Sequence, residues 1–236
     1  MLTKEQLKEI LADQRASILN KPLGIEREVL HLIKKKSILP HVIVLTGLRR
    51  SGKSTILRQI IKKDYSDEDF YYINFEDERL FNFEAKDFND IYESLLEVFG
   101  KKKTFFIDEI QNIENFELFV RRFYDDGFKF YITGSSAKLL SRELGTKLTG
   151  RHIDISITPF SFKEFLKFKK VEITKQKTYE TERKVEIKKL FNKYLINGGM
   201  PEFTLFEDKE ILTRIYEDIV NKDVIVRYDI KNTLQL

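Results

Sequence analysis

The sequence predicts an α/β fold, a parallel sheet with helices on both faces. Two observations carry this. The runs Val42-Ile43-Val44-Leu45, Phe70 to Phe75, Thr104 to Ile107 and Lys129 to Thr133 are largely β-branched or aromatic, as in strands buried on both faces. Helical patterns separate them, over Thr55–Lys63, Asp87–Phe99 and Phe116–Tyr124, so strand and helix alternate as parallel crossovers require. A fifth run, Ile153 to Ile157, alternates apolar with polar residues and ends at Pro159.

The remaining elements follow in order. Thr3 and Gln6 form a capping-box pair, and Leu7, Ile10 and Leu11 continue at helical spacing until Pro22 and Gly24 break the helix. Ile25 to Lys35 reads as a second helix, on the spacing of Ile25, Val29, Leu30 and Ile33, ended by Pro40. Ala137–Glu143 reads as the helix after the fourth strand. From Phe160 the strand signal stops. Phe162, Phe165, Leu166 and Phe168 predict a short amphipathic helix, and Tyr179–Ile196 a longer one. Gly198-Gly199-Met200-Pro201 breaks the chain before a last helix over Lys209–Val226. This tail reads as a small helical lid.

Composition narrows the chemistry. The 236 residues contain no cysteine, which excludes disulfides, thiolate metal sites and thiol catalysis. The three histidines, His31, His41 and His152, are scattered, which argues against a His-based triad or metal centre. No signal-like core or membrane-length apolar run is present, so a cytoplasmic protein with no membrane partner is expected. The net charge of +4 conceals an uneven distribution: residues 160–193 hold eleven basic and five acidic residues. The lysines there (Lys163, Lys167, Lys169, Lys170, Lys175, Lys177) are either a solvated helical face or a nucleic-acid surface.

The chemistry-bearing motif is Gly47-Leu-Arg-Arg-Ser-Gly52-Lys53-Ser54, the phosphate-loop pattern G-x-x-x-x-G-K-[ST]. It follows a buried strand and opens a helix, which is the context the pattern needs. Backbone N–H groups in such a loop close around phosphates, and the helix N-terminus points its positive end at the same anion. The candidate nucleotide contacts are Gly47, Arg49, Arg50, Ser51, Gly52, Lys53, Ser54 and Thr55. Lys53 would reach the terminal phosphates, and the Ser54 hydroxyl would ligate Mg²⁺.

Thr104-Phe-Phe-Ile-Asp108-Glu109 is the matching second element: an acid ending a buried strand lies at the sheet edge where ligands bind. Asp108 is the candidate metal residue with Ser54, and Glu109 the candidate base that polarises a water. Ser135, after the strand Lys129–Thr133, either contacts the γ-phosphate and its water or caps the next helix. Arg151 is either an arginine finger acting on a neighbouring subunit or a solvated loop residue.

Together these segments resemble the AAA+ ATPases, and within them prokaryotic ATPases related to the STAND group, in a family whose AAA domain precedes a poorly characterised C-terminal domain. The resemblance rests on Ile25-Glu-Arg-Glu28, Gly47–Thr55, Tyr72-Ile-Asn-Phe-Glu-Asp77, Phe106-Ile-Asp-Glu-Ile-Gln111 and Ile132-Thr-Gly-Ser-Ser136. Leu148-Thr-Gly-Arg151, Pro159-Phe-Ser-Phe-Lys-Glu-Phe165 and Gly198-Gly-Met-Pro-Glu202 complete it. It implies a P-loop NTPase three-layer αβα sandwich with sheet order 5-1-4-3-2. Ser135 then looks like the sensor-1 position and Arg151 like the finger or sensor arginine. Ile25 and Arg27 resemble the segment lying against adenine, and Pro201 the lid proline on the base. The implied domains are a helical segment over 1–24, the nucleotide-binding core over 25–158, and a lid with the start of a winged-helix-like region over 159–236. Leu48 departs from a proline common in the loop.

The activity expected is Mg²⁺-dependent ATP binding and hydrolysis coupled to the lid. The alternatives are a slow nucleotide-gated switch, or a nucleic-acid-associated ATPase acting through the basic lid. ATP is favoured over GTP because Asn221-Lys222-Asp223-Val224 misses the guanine signature Asn-Lys-x-Asp. A homo-oligomer follows if Arg151 acts in trans; a protein or DNA partner is left open.

Overall fold

The structure is a computed structural model and describes residues 2–66, 69–135, 148, 150–172 and 181–225. The expected helix over 137–143, Lys175, Lys177 and the region from 226 onward lie outside these residues. The chain divides into two compact units. One comprises residues 1–24, 29–47 and 53–157; the other comprises 25–28, 48–52 and 158–236.

The first unit is built on a five-stranded sheet in the order β2-β3-β4-β1-β5, with every pair parallel. Its strands are β1 (Val42–Thr46), β2 (Tyr71–Asn74), β3 (Thr104–Asp108), β4 (Lys129–Gly134) and β5 (His152–Ser156). Read from the other edge this is the expected 5-1-4-3-2. The helices are α1 (Lys4–Asn20), α2 (Val29–Ser37), α3 (Lys53–Asp64), α4 (Phe88–Phe99) and α5 (Phe116–Asp125).

Strand alternation sends side chains to two cores. Val42, Val44, Phe105, Ile107, Phe130 and Ile132 pack with α4 and α5 on one face. Ile43, Leu45, Phe106 and Tyr131 pack with α2 and α3 on the other. The register pairs Phe105 with Phe130 and Phe106 with Tyr131, and both pairs stack, with ring centroids 5.1 and 4.7 Å apart.

Helix α1 covers the edge strand β2. It contributes Leu7, Ile10 and Leu11 to one core and Ile18 to the other. Its Gln14 amide donates to the Asn74 carbonyl at 3.0 Å and accepts the Asn74 N–H at 2.9 Å, satisfying backbone groups an edge strand would leave open. The opposite edge, β5, keeps the polar alternation read from its sequence, with Asp154 and Ser156 exposed and Ile155 buried.

The second unit contains the helices α6 (Phe162–Phe168), α7 (Thr181–Asn197), α8 (Pro201–Phe206) and α9 (Lys209–Asp218), followed by a π-helical turn over Ile219–Ile225. Ser161 and Glu164 form a capping box that starts α6. Phe162 packs against Phe191 and Tyr194 of α7. Gly199 is required by close backbone approach: a Cβ there would lie 2.1 Å from the Phe160 carbonyl oxygen. The Phe160 N–H donates to the Gly199 carbonyl at 2.8 Å, and the Tyr194 hydroxyl donates to the Phe160 carbonyl at 2.9 Å.

Two expectations need correction. The second helix starts at Val29, not Ile25, because the Glu28 N–H donates to the Glu164 carboxylate at 2.7 Å and residues 25–28 join the second unit. The last α-helix stops at Asp218, where the described chain widens into the π-helical turn.

Candidate functional site

In a parallel sheet the carboxyl ends of the strands share one edge. Gly47 follows β1, Asp108 ends β3 and Ser135 follows β4, and the order β3-β4-β1 places these ends side by side. Lys53 opens α3 and is 4% exposed. Its Nζ donates to the Gly47 carbonyl at 3.2 Å and lies 3.4 Å from Glu109 Oε1, so the loop lysine and the candidate base form an ion pair.

Glu109 has a left-handed backbone (φ 51°) that turns the chain out of β3 into the 3₁₀ turn Ile110–Asn112. Its N–H donates to Thr133 Oγ1 at 3.0 Å, which fixes this turn from β4. Glu109 Oε2 accepts from Gln111 Nε2 at 2.6 Å, and the same nitrogen lies 3.4 Å from Ser135 Oγ.

Asp108 is buried among hydroxyls. Thr133 donates to its Oδ1, Tyr72 donates to Oδ2 at 3.3 Å, and Ser54 also hydrogen-bonds to it. Burial pushes the Asp108 pKa up, and the neighbouring Glu109 charge acts in the same direction. The Thr133 and Ser54 hydrogen bonds and the Lys53 charge oppose it. Burial, with Asp108 beside it, raises the Tyr72 phenol well above its ordinary value, so Tyr72 stays a protonated donor.

The Ser54 hydroxyl and the Asp108 carboxylate are hard oxygen donors, which suits Mg²⁺. Among the described residues no cluster of three or more His, Cys, Asp or Glu forms a metal cage. Mg²⁺ characteristically needs none, being held by one or two protein oxygens together with substrate phosphates.

The middle of the loop, Leu48–Gly52, belongs to the second unit. Arg50 and Gly52 both have positive φ, 60° and 100°. Arg50 Nη1 reaches Glu202 Oε1 and Oε2 at 2.7 and 2.6 Å, and its Nη2 lies 3.7 Å from Asp218. Arg49 is half-buried; Ser51 is buried, and its hydroxyl has no hydrogen-bond partner among the described residues.

Arg27, 4% exposed, is the hub of this unit. Its Nε donates to Glu164 Oε1 at 2.9 Å, Nη1 to the Ser51 carbonyl at 3.0 Å and Nη2 to the Thr158 carbonyl at 2.6 Å. Its guanidinium also lies 5.0 Å from the centre of the Phe160 ring. Ile25 is half-buried beside it in sequence, and Pro201 is the first residue of α8, after Met200 as N-cap.

Arg151 does not join the cluster around Lys53. It precedes β5, and its carbonyl accepts the N–H of Val42 at the amino end of β1. That is the far edge of the sheet, about 15 Å of strand from the Gly47 end. Its guanidinium instead pairs with Asp125 at 3.4 Å. The basic stretch is also engaged: Lys163 pairs with Glu28, Lys167 with Glu26 and Lys169 with Glu207.

Of the residues expected from the sequence, Lys53, Ser54, Asp108, Glu109 and Ser135 come together here, with Thr133, Tyr72 and Gln111 beside them. Thr133 stood in view as a strand-end hydroxyl. Tyr72 becomes visible only once β2 is set beside β3, with Tyr72 opposite Phe106.

A strand–loop–helix with a lysine opening the helix, and an acid ending a strand of the same parallel sheet, define a P-loop nucleotide-binding fold. Residues 40–166 match the family described as AAA domain, and the chain belongs to that family. The uncharacterized protein MJ1544 of Methanocaldococcus jannaschii is 42% identical over 240 residues, covering 100% of this chain and 53% of that protein. An uncharacterized Haemophilus influenzae protein is 36% identical over 201 residues, covering 80% of this chain and 48% of its own length. The chain thus spans about half the length of these relatives. Among solved structures, AMPPCP-bound DnaA from Aquifex aeolicus is similar over 86% of this chain and 74% of its own, at 18% identity and a TM-score of 0.42. That likeness is too distant to carry a functional argument. No described helix is long and apolar enough to cross a membrane.

Proposed function

We propose that this chain binds ATP with Mg²⁺ and works as a nucleotide-gated switch, with hydrolysis as the slow step that resets it. The observation that carries this reading is the Lys53–Glu109 ion pair. One lysine cannot fully serve both the carboxylate and the terminal phosphates. Arrival of the phosphates would draw Lys53 away from Glu109 and release the carboxylate to act as a base, so nucleotide binding and catalytic competence are linked. Because Leu48–Gly52 is part of the second unit, a change in the loop's shape would be felt there directly.

In this reading Gly47, Arg49, Arg50, Ser51, Gly52 and Thr55 shape the phosphate loop, and Ser135 reads the γ-phosphate. Mg²⁺, held by Ser54 and Asp108, would supply positive charge to the β- and γ-phosphate oxygens. Ile25 and Pro201 are proposed as adenine contacts. Arg27 was assigned with them, but its engaged guanidinium favours an architectural part. Arg151 is proposed only as a finger acting on another copy of the chain. ATP is the proposed nucleotide because the chain lacks a guanine signature. The ion pairs of Lys163, Lys167 and Lys169 weigh against a nucleic-acid surface on the basic stretch.

The test is titration of the chain with ATP in the presence and absence of Mg²⁺, followed by phosphate release and ADP retention. The switch reading expects Mg²⁺-dependent binding that Lys53→Ala abolishes, turnover below about one per minute and slow ADP release. Unchanged ATP affinity in Lys53→Ala would remove the loop from the site.

A further inference from the structure

Gln111 holds a position that the switch reading leaves unused. Its Nε2 donates to Glu109 Oε2 at 2.6 Å and lies 3.4 Å from Ser135 Oγ. Its other amide atom, Oε1, is buried and has no hydrogen-bond partner among the described residues. The orientation of the amide follows from chemistry, since an ionised carboxylate only accepts and must face the NH₂ group. A buried acceptor without a donor costs about 1–3 kcal/mol, and such an atom beside a candidate base calls for a functional explanation.

The two oxygens of Glu109 have different partners: Oε1 faces Lys53 and Oε2 faces Gln111. If Lys53 turns to the phosphates, Oε1 is released while Oε2 stays held. We infer that Gln111 is the positioning residue of the hydrolytic step. Its NH₂ group keeps the Glu109 carboxylate in place once Lys53 has left, and its Oε1 accepts a hydrogen bond from the attacking water. In that step one water proton passes to Glu109 as the water oxygen bonds to the γ-phosphorus. The bond from the γ-phosphorus to the bridging oxygen breaks, giving ADP and inorganic phosphate. Ser135, near the same amide nitrogen, lies where the water and the γ-phosphate would be sensed together.

The inference rests on the hydrolysis part of the proposed function, so its test separates the two. Single-turnover ATP hydrolysis, ATP affinity and thermal midpoint are measured for the whole chain and for Gln111→Met, Glu109→Gln and the double variant. Methionine matches the length of glutamine without its polar atoms. Gln111→Met is expected to slow the single-turnover rate about 100-fold, the size of a lost alignment. ATP affinity should stay within about twofold, because the interaction acts on the step and not on binding. The thermal midpoint should stay within about 3 °C, because removing the unsatisfied Oε1 offsets the hydrogen bond lost at Glu109 Oε2. In the Glu109→Gln background the same substitution should change the residual rate no further, since the group it positions is gone.

An unchanged rate in Gln111→Met, with Glu109→Gln inactive, overturns the inference and leaves Glu109 as the base. Additive losses in the double variant, or a parallel fall in ATP affinity or thermal midpoint, also overturn it by assigning Gln111 a general structural part. A wild-type chain that hydrolyses no faster than Glu109→Gln defeats the hydrolysis reading itself, and the inference falls with it.

Discussion

Removing the Arg27 guanidinium tests whether this residue is architecture or a nucleotide contact. Arg27 and Glu164 have side chains 4% and 5% exposed, so the pair is shielded from water. In Arg27→Met the apolar stem survives, but Glu164 is left with the backbone N–H groups of Glu28 and Ser161 as its donors among the described residues. Breaking a buried pair from one side costs about 3–5 kcal/mol because a charge is left uncompensated. The Ser51 and Thr158 carbonyls lose their donor as well, at about 1 kcal/mol each, while the retained N–H bonds to Glu164 offset part of the total. A net loss of about 4 kcal/mol corresponds to a fall in thermal midpoint on the order of 10 °C for a chain of this size. Circular dichroism melts at pH 7 without nucleotide read it directly. The double variant Arg27→Met/Glu164→Gln carries neither charge and should regain part of the loss. A midpoint within about 2 °C of wild type, together with a large loss of ATP affinity, would refute the reasoning and return Arg27 to the adenine site.

Three other perturbations follow from the geometry. Asp77 accepts from Arg79 Nε at 2.9 Å and Nη2 at 2.8 Å and from Gln14 at 2.9 Å, and these hold its pKa at about 2. The folded value lies below the ordinary one, so the stabilisation is full above about pH 4 and is lost as pH falls through about 2. Melts of wild type and Asp77→Asn should therefore differ most above pH 4 and converge near pH 2. Gly199→Ala would place a methyl on the Phe160 carbonyl, forcing a backbone shift worth about 1–3 kcal/mol, visible as faster proteolysis of residues 158–225. Arg151→Ala should leave ATP affinity unchanged, because Arg151 lies at the far edge of the sheet from Lys53; a loss of affinity in a monomeric sample would contradict the placement.

The central strands were legible because burial on both faces imposes continuous β-branched and aromatic runs, and β5 was legible because an edge leaves polar alternation. The ends of those strands then fixed where Lys53, Asp108 and Glu109 had to meet. The start of the second helix was not legible. Ile25-Glu-Arg-Glu28 has helical spacing, and only Glu164, far along the chain, withdraws the Glu28 N–H from a helix. The partners of Asp108 were hidden for a related reason. Tyr72 and Thr133 reach it through strand register, which no local pattern encodes. Arg151 read as a candidate finger through the family resemblance, while its place at the amino end of β1 follows from the direction of β5 relative to β1.

The central claim is that Lys53 exchanges between Glu109 and the phosphates. The most direct measurement is the dissociation constant of Mg²⁺-ATP for wild type and Glu109→Gln, taken beside their single-turnover hydrolysis rates. Neutralising Glu109 removes the competitor for Lys53, so ATP should bind more tightly, by about tenfold for every 1.4 kcal/mol held in the ion pair. Hydrolysis should at the same time fall by about 10²- to 10⁴-fold with the loss of the base. Equal or weaker ATP binding in Glu109→Gln, with hydrolysis intact, would contradict the exchange.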